Sequence, residues 1–164
     1  MNKLFYFRLA AQNLRKNGKF YIPYLLAGIG NVMMFYIMVY LRTNPAMENH
    51  ESLGIVLGLG TVVIAIFSSV FIFYTNSFLM KRRKKEIGLF NILGMEKKHI
   101  ARVLTFEMLI VAVISLTLGL LGGMLLSKLL FLLLLNVLGI QTSIAFMVSV
   151  PMIVTTILLF GGIF

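Results

Sequence analysis

Five consecutive cations, Lys81-Arg82-Arg83-Lys84-Lys85, stand between two hydrophobic runs, each long enough to cross a bilayer. Each Lys or Arg at a bilayer centre costs about 2.5–3.5 kcal/mol even on the lenient insertion scale, so the block belongs outside the hydrocarbon. By the positive-inside rule it marks a cytoplasmic loop, drawn here over residues 81–100. After the cations comes Glu86-Ile87-Gly88-Leu89-Phe90-Asn91-Ile92-Leu93-Gly94. Leu89, Ile92 and Leu93 fall at i, i+3 and i+4 on one helix face, with Phe90 beside them. Gly94 suits the position just past a helix end, so the spacing predicts a short helix from Glu86 to Leu93. A helix of that length is marginal alone in water, and its apolar face therefore needs a partner.

The chain as a whole reads as a membrane protein: 60% of its residues are hydrophobic, 12% are charged, and the mean hydropathy is +0.98. A net charge of +10 could indicate nucleic acid, but the distribution argues otherwise. Lys3, Arg8, Arg15, Lys16 and Lys19 precede the first apolar run, and Lys81 to Lys85, Lys97, Lys98 and Arg102 flank the loop. Only Arg42 and Lys128 lie elsewhere. That is orientation charge, able to attract anionic lipid at about 1 kcal/mol per cation near the surface, and no nucleic-acid partner is expected. Without cysteine there is no disulfide framework and no thiolate chemistry.

Residues 1–19 read as an interfacial amphipathic helix, with Leu4, Phe7, Ala11 and Leu14 on one face and Arg8, Gln12, Arg15 and Lys19 on the other. Residues 20–164 form the transmembrane unit, with spans at about 20–41, 53–80, 101–126 and 144–164. The N-terminus is expected inside, in an all-α bundle of about four spans. Tyr21 and Tyr24 at one end of the first span, and Tyr36 and Tyr40 at the other, read as interfacial anchors, and Pro23 as a first-turn residue. Asn31, at mid-depth, is expected to hydrogen-bond a neighbouring helix. The pairs Gly54/Gly58 and Gly119/Gly123 have G-x-x-x-G spacing and are expected to admit a close helix neighbour. Glu107 is the one acid of the third span, which carries fourteen Leu, Ile, Val and Phe residues between Val103 and Leu126. They contribute about −4 to −8 kcal/mol to insertion, so the span survives the acid, which should pair with a nearby cation. Lys128 is expected to break the long apolar run that follows, leaving Leu129 to Leu138 as a partly re-entrant or interfacial helix.

Catalytic groupings are missing. No phosphate-binding Gly-x-x-x-x-Gly-Lys loop is present, and Gly28-Ile29-Gly30 and Gly58-Leu59-Gly60 lack the third glycine of a dinucleotide site. The five acids are scattered, and His50 and His99 fall on opposite sides of the membrane. Glu48, His50 and Glu51 read as solvated residues of a short external loop, not metal ligands. The chain is therefore expected to be no enzyme and to hold no metal or cofactor. Any ATP must be hydrolysed by another chain.

The basic run, Glu86-Ile87-Gly88-Leu89, then Leu93-Gly94-Met95 and further cations entering an apolar helix, resembles the cytoplasmic loop of FtsX-like ABC-transporter permeases. Phe7-Arg8-Leu9-Ala10, Asn13-Leu14-Arg15-Lys16-Asn17 and Tyr21-Ile22-Pro23-Tyr24-Leu25 resemble the bacitracin-resistance branch, along essentially the whole chain. The resemblance implies a multi-pass protein of the bacterial plasma membrane that handles peptide antibiotics directed at lipid-linked cell-wall precursors. It also implies that Glu86, Ile87, Gly88, Leu89, Phe90, Ile92, Leu93 and Gly94 form a coupling helix docking on a separate ABC ATPase subunit. A sensor histidine kinase is a further implied partner, beside membrane lipids. The rival reading is a non-transporting membrane adaptor or sensor that binds a kinase or anionic lipids. Members of the branch are much longer, so this chain is expected to be a truncation or a fragment.

Overall fold

The computed structural model describes residues 3–44, 51–92, 94, 96–138 and 150–164. Six helices follow in order: α1 (Lys3–Lys16), α2 (Gly18–Thr43), α3 (Glu51–Arg82), α4 (Lys84–Ile92), α5 (Lys97–Leu138) and α6 (Val150–Ile163). No strand occurs among the described residues. The all-helical membrane class therefore holds. By length and apolarity α2, α3 and α5 can each cross a bilayer, while α6 is apolar but only 14 residues long.

The long central helix α2 packs against α5, α3 and α6, with α1 laid along α5. Its Val32, Phe35, Tyr36 and Tyr40 form the main core with Phe131 and Leu135 of α5 and Met152 and Phe160 of α6. Phe35 meets Phe160 edge-on, and Tyr40 meets Phe131 in the same way. Asn31 bonds its neighbour as expected, accepting from Ser68 Oγ of α3 at 2.9 Å. The opposite surface of α3 is exposed and apolar through Val62, Ile66, Phe67, Val70 and Phe73, as a lipid-facing helix requires.

Several expectations need correction. Tyr21, Tyr24, Tyr36 and Tyr40 are all buried in the bundle, so they are packing residues and not an interfacial belt. Pro23 lies inside α2, because the helix begins at Gly18, before the apolar run does. Lys128 breaks nothing: α5 runs unbroken for 42 residues, about 63 Å, through a leucine-rich stretch with no proline. Of the apolar face read above for α1, Phe7 and Ala11 are exposed and Leu14 packs partly buried against the core, while the buried positions are Tyr6 and Ala10. Polar partners on α5 decide that register, and hydropathy alone does not show them.

Candidate functional site

The basic run is not a uniform loop. α3 continues through Lys81 and Arg82, Arg83 makes a single-residue turn, and α4 starts at Lys84. Arg83 N–H donates to Leu79 O at 3.2 Å, and its carbonyl accepts from Ile87 N–H at 3.0 Å, so the backbone stays bonded across the joint. Lys81, Arg82 and Lys84 are exposed, whereas Arg83 is only 3% exposed.

Burial of a guanidinium demands full pairing, and α5 supplies it. Glu107, fully buried, forms an ion pair with Arg83 Nη1 and accepts from Nη2 at 3.3 Å. Tyr21 of α2 donates its hydroxyl to Glu107 Oε2 at 2.7 Å, and Asn13 Nδ2 of α1 donates to Oε1 at 3.0 Å. Both carboxylate oxygens thus carry two donors each. Arg83 Nη1 also donates to the Tyr21 hydroxyl, and the guanidinium lies 5.5 Å over the Tyr21 ring. The cation expected beside Glu107 is therefore Arg83. The cluster ties α1, α2 and α5 to the root of α4. Leu79, Tyr24 and Val111 pack with Tyr21 beside it.

A second tie lies nearer the start of α5. The Tyr6 hydroxyl shares a hydrogen bond with His99 Nδ1, their rings stack at 5.9 Å, and Arg102 sits 6.0 Å over the Tyr6 ring. Together the two ties hold α1 on α5, which is why the polar Tyr6 and Asn13 face inward.

Helix α4 leans on α5. Ile87 and Gly88 line one groove with Ile100, Ala101 and Leu104. The other side is open: Leu89 is 58% and Ile92 84% exposed. Gly94 has φ +83°, a left-handed conformation suited to a helix stop. The side chains of Glu86 and Phe90, and the whole of Leu93, lie outside the described residues. Of the glycine pairs, Gly119 lies against Val32 and Gly123 against Tyr36 of α2. An added Cβ at Gly119 would come within 2.7 Å of Val32, so this is the close α2–α5 approach. A Cβ added at Gly58 would have the Arg42 side chain nearest to it, and one at Gly54 would meet nothing within 4 Å among the described residues. No group of acids and histidines able to hold a metal occurs among the described residues.

The sequence reading missed Arg83, Tyr21 and Asn13. A signal for the first was present. Thr61, Ser68, Ile72 and Leu79 form the buried stripe of α3. Arg83 lies four residues after Leu79, on the same helical face.

Residues 58–164 match the family described as FtsX-like permease C-terminal. The chain is 34% identical over 160 residues to the bacitracin export permease protein BceB of Halalkalibacterium halodurans, covering 95% of this chain and 24% of that protein. It is 30% identical over 160 residues to BceB of Bacillus subtilis, covering 96% of this chain and 25% of that protein. It is 27% identical over 154 residues to the uncharacterized ABC transporter permease YvcS of B. subtilis, covering 91% of this chain and 24% of that protein. The chain thus spans about a quarter of the length of these relatives.

Proposed function

The chain belongs to the FtsX-like permease family of ABC transporters, multi-pass proteins of the plasma membrane, and from that premise we propose that α4 is the helix through which a separate ATPase subunit acts on it. One observation carries the reading. A nine-residue helix projects Leu89 and Ile92 into the open while its root is fixed to three other helices through Arg83. Exposed apolar residues on so short a helix favour a protein dock, and a rigid root lets a push on α4 reach the bundle.

The motion follows from the joints. Arg83 is bonded on both sides along the backbone, so α4 displaces α3 directly. Its guanidinium hands the same displacement to Glu107 on α5, and through Tyr21 to α2. α2 and α5 are in turn interlocked at Gly119 and Gly123. Peptide antibiotics are the proposed cargo class, after the two bacitracin export permeases to which the chain is similar.

Purified in mild detergent, the protein should carry an ABC ATPase. Recovery of a histidine kinase or of anionic lipid, with no ATPase, would favour the adaptor reading.

Orientation belongs to the same proposal. With α4 and the N-terminus inside, thirteen of the fifteen cations lie on the cytoplasmic side, Arg42 and Lys128 being the exceptions. The chain has no cysteine, so Asn49→Cys and Asn91→Cys each introduce a single thiol. In intact cells an impermeant maleimide should label Asn49→Cys and leave Asn91→Cys untouched. Labelling of Asn91→Cys would reverse the topology.

A further inference from the structure

We propose that the seam between the first half of α2 and the second half of α3 binds one anionic phospholipid. The seam holds a groove of about 350 Å³ with almost wholly apolar walls, including Phe20, Phe71 and Phe78, and with Lys19 and Arg82 at the same end. A second groove of about 350 Å³ shares Ala27 and Phe71 with the first and continues past Phe67. From Arg82 to Phe67 is fifteen residues of α3, roughly 22 Å at 1.5 Å per residue. An apolar trough of that length with two cations at one end has the shape and polarity of a phospholipid: a headgroup at the charges, an acyl chain along the helices.

A further observation selects this ligand over a bare apolar helix. Lys19 and Arg82 are exposed, and neither forms an ion pair among the described residues; Arg82 is held only over the Phe78 ring, at 5.0 Å. Both cations are therefore available to a phosphate. Basic pockets between helices at the cytoplasmic side are suited to anionic headgroups for the same electrostatic reason. The site adjoins the cluster at Arg83, so an occupied groove would brace the joint between α3 and α4.

The assignment rests on the bilayer placement proposed above but needs no ATPase, and its test contains none. The chain has no tryptophan, so Phe78→Trp gives a single fluorophore at the groove mouth. The full chain carrying it is reconstituted in phosphatidylcholine vesicles, and brominated phosphatidylglycerol or brominated phosphatidylcholine is titrated in as quencher. Each cation near a headgroup favours an anionic lipid about fivefold, so the pair should give a preference of roughly twenty- to thirtyfold. Lys19→Gln with Arg82→Gln should bring that close to unity. Leu125→Trp, on the exposed surface of α5, should show no preference in any background. Equal quenching by both lipids at Phe78→Trp would overturn the proposal, as would a preference that survives the double charge removal. Absence of quenching by either lipid would overturn it too, by showing the groove filled by protein.

Discussion

Glu107→Gln should destabilise the protein by about 3–5 kcal/mol, one of the largest losses any single polar substitution in this chain can produce. Arg83, 3% exposed, would keep its charge but lose the Glu107 carboxylate, and a guanidinium cannot shed its proton to escape. Arg83→Gln should cost somewhat less, because the carboxylate left behind keeps the Tyr21 and Asn13 donors. The informative variant is the double one. Replacing a buried pair by unbranched apolar side chains is often close to neutral, so Arg83→Met with Glu107→Met should be nearer to the parent than either single charge removal. Recovery will be incomplete, since Tyr21 and Asn13 lose their acceptor at about 1–3 kcal/mol for each group left unpaired. Thermal unfolding in detergent of this double variant and of Arg83→Met and Glu107→Met singly, followed by size-exclusion, supplies the double-mutant cycle. Strictly additive losses would mean that Arg83 and Glu107 do not act as a pair. If the cluster also transmits motion, the double variant should fold and bind the proposed ATPase partner yet lose substrate-stimulated hydrolysis. Full stimulation would confine the pair to a structural role.

Length and hydropathy made the helices legible, because the bilayer sets a minimum apolar run that few other folds imitate. The short helix was legible too, from an apolar triplet and a glycine stop set between cations. What hydropathy could not show was which side of each helix faces protein. In lipid both sides are apolar, and association depends on small residues and polar contacts instead. That is why Tyr6 and Asn13, not Phe7 and Ala11, turn α1 inward, and why four tyrosines placed at span ends prove to be core. The same blindness hid Arg83. Read as a block, five cations look uniform; read at the period of α3, the third continues the line of Ser68, Ile72 and Leu79. The failure at Lys128 has another cause. Apolar length was treated as a limit on the helix, yet a helix may leave the membrane and continue, and nothing in the Leu-rich sequence of α5 stops it.

The docking proposed for α4 predicts the other large effect. Leu89 and Ile92 stand on its open side, and burying one such side chain in a partner contributes roughly 1.5–3 kcal/mol. An aspartate at either position forfeits that and places a charge in the contact, so Leu89→Asp or Ile92→Asp should reduce ATPase association by about a hundredfold or more. Lys84→Gln removes only an exposed charge, whose pairing is worth about 0–1 kcal/mol, and should change affinity less than fivefold. Ile87→Ala separates docking from anchoring. Ile87 lines the groove against Ile100 and Leu104, so its truncation should loosen α4 on α5 without removing the outward contact. The expected order of affinity loss is then Leu89→Asp and Ile92→Asp first, Ile87→Ala intermediate, and Lys84→Gln least. Detergent-purified chain titrated with the labelled ATPase reads all four, and unchanged thermal unfolding of the two aspartate variants guards against a folding defect. An equal loss at Lys84→Gln would point to a dock made by charge. Unimpaired binding in both aspartate variants would remove α4 from the interface altogether.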